Sequence, residues 1–109
     1  YRLPLAITEA HLGCTREEQL RWLWEAHTGA TEARAGGIDV RAITAWSLLG
    51  AFDWDSLLTR HRGRYESGVF DIRSPERRPT ALAELVSQLA HHRANQRIHP
   101  TLVNAGWWR

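Results

Sequence analysis

Methionine is absent from this 109-residue sequence, which opens on Tyr1. Those two facts lead to the expectation that the chain is cut from a longer protein. Cysteine is nearly absent. Cys14 stands alone, which excludes an internal disulfide and any thiolate-rich zinc site. Lysine is missing too, so all fourteen cationic side chains are arginines. No apolar run approaches the ~20 residues that span a bilayer, so no transmembrane helix and no membrane partner is expected. There is no basic start followed by an apolar stretch and a small-residue cleavage site, an absence that says little about location in a chain expected to lack its native N-terminus. A cytoplasmic location is the expectation. Net charge is also scarce: twelve acids leave only +2. The sequence pI near 9.3 reflects arginines that do not titrate. So small an excess makes no nucleic-acid footprint, and no nucleic-acid partner is expected. What remains is an ordinary globular composition, 43% hydrophobic and 24% charged, sized for one modest domain.

The run Leu3 to Glu9, L-P-L-A-I-T-E, is short and almost continuously apolar. It reads as a strand buried on both faces, with Pro4 tolerated at its start. Thr15 and Glu18 then form a T-x-x-E capping box, and Glu17 and Glu18 put negative charge where a helix dipole favours it. Leu20, Leu23, Trp24 and His27 follow at helical spacing as a core-facing stripe. Gly29 weakens this helix by roughly 1 kcal/mol relative to alanine, and Gly36-Gly37 stops it.

Ile38 to Trp46 is rich in β-branched residues and reads as a second strand. Ser47 to Tyr65 reads as a loop, Gly68-Val69-Phe70 as a short extended piece. Thr80 caps a last helix with Leu82, Leu85, Val86 and Leu89 on its buried side, and Arg93 to Arg109 has no sustained period. Strand, helix, strand is a parallel pair with a crossover, part of an α/β fold. Such a pair has two open edges and cannot cover its helices alone, so self-association through those edges is expected.

Glu9 stands at the C-terminal end of the first strand, the end that faces the active site in (β/α)8 barrels. It is either a nucleophile or general acid/base, or a solvated strand-end acid. Trp46, Asp53 and Trp54 place two indoles around a carboxylate. That trio suits a sugar, whose C–H face stacks on aromatic rings while its hydroxyls bond to the acid; equally, both indoles can fill core gaps. His11 is close to Glu9 and either lines that pocket or is an incidental loop residue. Cys14 precedes a helix cap, where a thiol pKa can be lowered. His91-His92 reads as a solvated pair and Trp107-Trp108 as a docking segment for a neighbouring domain. Arg60, Arg62 and Arg64 form a basic segment that nearby Asp55 and Glu66 turn into a mixed surface.

L-A-I-T-E followed by A-W-S-L-L-G-A-F-D-W resembles the C-terminal quarter of family 1 glycoside hydrolases, the β-glucosidase type. Those proteins carry I-T-E-N-G on strand 7 and A-W-S-L-x-D-N-F-E-W after strand 8. The similarity runs through G-V-F-D to the final helix, about residues 3 to 90. It implies an α/β fold formed by the last two β/α units of a bacterial-type (β/α)8 TIM barrel, incomplete in isolation. Residues 1–92 would be the barrel fragment and 93–109 a tail or interdomain linker. The remainder of the parent barrel is then an expected partner.

The resemblance further implies hydrolysis of O-glycosides with retention. Glu9 would be the nucleophile, Trp46 the sugar platform, and Asp53 with Trp54 the pair that holds the glycone hydroxyls. Retaining enzymes need a second carboxyl about 5–5.5 Å from the first. In the family an N-E-P motif supplies it, and no N-E-P occurs in this chain, so the chain alone is expected to be inactive. Three departures stand out: Ala10-His11 for Asn-Gly, Gly50-Ala51 for Asp-Asn, and Asp53 for glutamate, which sets the carboxylate back by roughly 1.5 Å. Some barrels of this kind are joined to a domain resembling dTDP-4-dehydrorhamnose reductase, and the tail R-I-H-P-T-L-V-N-A-G-W-W-R fits such a connection. No G-x-G-x-x-G is present, and neither cofactor nor metal is expected. The competing expectation is a non-catalytic barrel that binds carbohydrate or scaffolds an attached reductase.

Overall fold

The computed structural model describes residues 2–91 and 99–109. Expectations placed on Tyr1, on His92 and on a boundary between 92 and 93 lie outside the described residues.

The chain folds as a mixed α/β structure with three two-stranded sheets. β1 (Leu5–Ala10) leads through α1 (Arg16–Ala35) to β2 (Val40–Ala45), which pairs with β1 in parallel. Leu5 lies opposite Val40, Ile7 opposite Ile43 and Ala10 opposite Ala45. β1 begins two residues after Leu3 because Pro4 has no amide hydrogen; the Leu5 amide makes the first cross-link, to the Asp39 carbonyl at 2.8 Å. β2 begins after Ile38 because that residue still belongs to the helix end, donating to the Ala33 carbonyl at 3.0 Å.

The N-terminus of α1 carries half of the expected capping box. Thr15 Oγ1 accepts from the Glu18 amide at 3.4 Å, but the Glu18 side chain turns to Arg21 one turn on. The helix runs through Gly29 and stops at Gly36, followed by Gly37 at φ 87°, a value glycine adopts without penalty.

The segment between β2 and the last helix holds more structure than its sequence shows. β3 (Ala51–Phe52) pairs antiparallel with β4 (Tyr65–Glu66), and a 3-10 turn covers Trp54–Ser56. β5 (Phe70–Asp71) pairs antiparallel with β6 (Arg78–Pro79). Asp71 is the anchor of the second ribbon. Its carboxylate accepts from the Arg73 guanidinium (2.8 Å), the Arg73 amide (3.0 Å), the Tyr65 hydroxyl (3.1 Å) and Arg78 (3.3 Å). Hydrogen bonds from Arg73, side chain first and then backbone, hold this carboxyl well below the usual carboxylate range.

α2 (Ala81–Ala90) follows Thr80, whose hydroxyl donates to the Val69 carbonyl at 2.7 Å instead of capping the helix. The stretch 99–109, read as part of a tail or linker, folds back on α1. It forms α3 (Pro100–Val103), and Arg21 Nε donates to the Thr101 carbonyl at 2.8 Å. Trp108 Nε1 donates to Glu25 at 2.9 Å and its ring meets Trp22 edge-on at 5.2 Å. Trp108 thus docks on this chain's own helix.

The core is small: Ala10, Leu23, Val69, Leu82 and Leu85, with Leu20, Trp24, Val86 and Leu89 packed against it. β1 departs from the expected burial on both faces, since every residue but Ala10 is exposed. A two-stranded sheet has no lateral neighbours to cover it. The accessible surface of 8081 Å² exceeds by about 1,900 Å² the roughly 6,200 Å² of a compact monomer of this mass. The radius of gyration, 15.2 Å, likewise exceeds the ~13 Å of a compact chain this long. Among the described residues, no helix is long and apolar enough to cross a membrane.

Candidate active site at the strand ends

β1 and β2 are parallel, with irregularities between Leu5 and Ala6 and between Ile7 and Ala10, and their C-terminal ends lie side by side where Ala10 pairs with Ala45. The Trp46 amide donates to the Ala10 carbonyl at 3.3 Å. Glu9 on β1 and Trp46 immediately after β2 therefore share one end of the sheet. Glu9 is exposed and makes no hydrogen bond or ion pair among the described residues, which leaves its carboxylate available to a ligand.

Aromatic rings line the same end. His11 meets Trp46 edge-on at 4.8 Å and 70°, and Trp46 meets Trp54 at 5.4 Å and 39°. His11 Nε2 is hydrogen-bonded to Glu66 Oε1 on β4. The three rings form one contiguous row, with Trp54 exposed at its far end. The peptide joining Trp46 to Ser47 is cis. Beyond it the chain runs against the segment before β5: the Val69 amide donates to the Ser47 carbonyl and the Phe70 amide to the Leu48 carbonyl, both at 2.9 Å. Gly68 makes this approach possible, since a Cβ there would lie 2.5 Å from the Leu49 carbonyl carbon and 2.6 Å from the Gly50 amide nitrogen.

Asp53 is placed differently from a sugar-holding acid. It is buried, in the left-handed region at φ 56°. Its carboxylate accepts from the Arg64 amide (2.8 Å), the Arg62 amide (3.1 Å) and the Gly63 amide (3.2 Å), and faces His61 Nδ1 at 3.3 Å. Three backbone amides donate to this carboxylate, two to Oδ2 and one to Oδ1. The Arg64 amide foremost, with those of Arg62 and Gly63, holds its pKa below the ordinary value. Asp53 thereby ties down the loop that carries Trp54. The reach to hydroxyls expected of it is taken up by its own backbone.

Glu66 is the site residue that sequence reasoning missed as a member of the pocket. It lies 55 positions from His11, and a single glutamate in a two-residue strand carries no periodic signal. Gln19, almost fully buried on α1, donates to the Ser67 carbonyl at 3.1 Å and holds β4 against the helix beside this pair.

The other candidates resolve into structural roles. Burial, with the charges of Glu18 and Glu66 adding, pushes the Cys14 thiol up rather than down, which removes the activated-thiol reading. Arg64 and Arg62 lie 3.0 and 3.9 Å from Asp55, forming the mixed surface expected. His91 Nδ1 lies 2.8 Å from the Ser87 carbonyl at the end of α2. Among the described residues, no three His, Cys, Asp or Glu side chains are grouped to hold a metal ion.

With this geometry in hand, two solved structures are similar to the chain. One is the β-glycosidase BGL167, at 22% identity and a TM-score of 0.66, over 90% of this chain and 23% of that one. The other is a β-glucosidase from Exiguobacterium marinum, at 17% identity and a TM-score of 0.62, over 91% of this chain and 23% of that one. The chain thus spans less than a quarter of the length of these glycosidases and shares the fold of that part. No family model matches the chain, and no curated protein matches it.

Proposed function

We propose that this chain supplies two β/α units to a retaining β-glycosidase barrel of the family 1 kind, with Glu9 as nucleophile. One observation carries the reading: an unengaged carboxylate and a row of three aromatic rings stand together at the C-terminal end of a parallel strand pair. The order of the two sequence motifs and the likeness to parts of glycosidase structures support it.

In this reading a Glu9 carboxylate oxygen attacks the anomeric carbon and forms a glycosyl ester. The bond to the leaving oxygen breaks as a second carboxyl, supplied from elsewhere in the barrel, gives that oxygen its proton. The same group then takes a proton from water, which attacks the ester, releases the sugar with its configuration retained and frees Glu9. Trp46 and Trp54 present apolar faces to the ring, His11 lines the pocket, and Asp53 positions Trp54. The surplus of about 1,900 Å² of surface, to which the exposed Leu5 and Ile7 of β1 contribute, is the size of contact that neighbouring barrel units would cover.

A second reading, carbohydrate binding without catalysis, is favoured by Asp53, a buried carboxylate engaged by three backbone amides of its own loop. Turnover separates the two. In the complete barrel, proton NMR of an aryl β-glycoside reaction should show the β-anomer forming first. Glu9→Gln should lower kcat on the order of 10⁴-fold, the scale of losing an essential nucleophile. No turnover by the unaltered protein would dismiss the enzyme reading, and an α-anomer first would dismiss retention and with it Glu9 as nucleophile.

A further inference from the structure

We infer that Glu66 is a sugar-hydroxyl ligand of this site and that His11 is the residue that positions it. The inference rests on the glycosidase reading above and deepens it by naming the polar half of the binding surface. Asp53, expected to serve that purpose, already has backbone donors around its carboxylate. Glu66 differs in three respects. Its side chain is 22% exposed. Only Oε1 has a partner among the described residues, leaving Oε2 free to accept. That partner, His11, is the ring that packs edge-on against Trp46 at 4.8 Å. A saccharide lying on Trp46 would therefore have the Glu66 carboxylate one imidazole away.

Two further features show that the carboxylate is held in place. Gly13 lets Glu66 approach the β1–α1 connection: a Cβ on it would lie 3.2 Å from Glu66 Oε1. Gln19 fixes the neighbouring Ser67 carbonyl, so β4 cannot drift from the helix. Charge-assisted hydrogen bonds to hydroxyls are among the stronger ones, so a fixed anionic acceptor discriminates between sugars that carry the hydroxyl and those that lack it.

The test uses the complete barrel with Glu66→Ala, Glu66→Gln and His11→Ala. Readouts are KM and kcat for an aryl β-glucoside and for its mono-deoxy analogues, and the inhibition constant of free glucose. Loss of an acceptor to a charged hydrogen bond should raise KM and the glucose constant by about tenfold or more in Glu66→Ala, a larger factor than the fall in kcat. Glu66→Gln keeps a neutral acceptor and should recover part of that loss. One deoxy analogue should show no penalty, because the hydroxyl that Glu66 holds is already gone. His11→Ala should follow Glu66→Ala in the same direction by a smaller factor. An equal penalty on all analogues, accompanied by a lower melting temperature, would make Glu66 a structural residue and overturn the inference; so would constants within twofold of the unaltered protein. If the unaltered barrel binds glucose without turnover and Glu66→Ala still weakens that binding, the nucleophile reading fails and this inference stands. If it binds no saccharide, both fail.

Discussion

Leu5 and Ile7 on β1 stand 51% and 37% exposed, whereas Asp53 and Asp71 in the loops after β2 are 4% and 7% exposed. The usual arrangement, apolar side chains inside and carboxylates outside, is reversed between the two regions. β1 and β2 pair with each other and reach the core through Ala10, Ile43 and Ala45, while their outer edges have no strand beside them among the described residues. The segment after β2 completes itself: Asp53 is held by the backbone amides of Arg62, Gly63 and Arg64, and Asp71 by Arg73, Arg78 and the Tyr65 hydroxyl, which offsets the cost of removing each from water.

The contrast is sharpest at single atoms. Gly68→Ala should lower stability by about 1–3 kcal/mol, because its new Cβ meets backbone atoms of Ser47, Leu49 and Gly50 that cannot turn away. In the same thermal or denaturant unfolding experiment, Ile7→Ala on the exposed strand should change stability by less than about 0.5 kcal/mol. Equal losses at both positions would erase the distinction between a self-sufficient loop region and a dependent sheet.

Acid sharpens it differently and more gradually. Asp71 and Asp53 have folded-state pKa values below the ordinary carboxylate value, so the unfolded chain binds more protons as pH falls through that range. The stability they contribute is present above the ordinary carboxylate pKa of about 3.9 and is lost as pH drops through the lower folded values. The melting temperature should decline between pH 5 and the acid limit, roughly the carboxylate window, and Asp71→Asn should flatten that decline. A decline unchanged by Asp71→Asn would place the acid sensitivity elsewhere.

Much of the βαβ frame was legible in the sequence, because its signals are local. The apolar run of β1, Thr15 at the start of α1, Gly36-Gly37 at its end and the stripe of α2 all mark their elements within two residues. Burial was not legible in the same way. An apolar strand reads as buried, but its exposure depends on neighbours that a strand's own residues do not encode. Of the four two-residue strands, β5 overlaps the extended piece read at Gly68-Val69-Phe70, and the other three escaped because they carry no period; Asp53 and Asp71 brace these ribbons by bonding to groups 2 to 11 positions away. Of the candidate residues, Glu9 and Trp46 were legible from their places at strand ends, His11 from its closeness to Glu9 in the chain, and Trp54 from the loop that follows Trp46. Glu66 was not, since its partner comes from the far side of α1, 55 residues earlier.

The account stands on Glu9 as the group that attacks the sugar. Incubating the complete barrel with an activated 2-deoxy-2-fluoro-β-glucoside and mapping the labelled peptide by mass spectrometry examines that directly. The predicted result is one fluoroglycosyl adduct per active site, on Glu9. An adduct on another carboxylate, or none in a protein that turns over aryl glycosides, would contradict it.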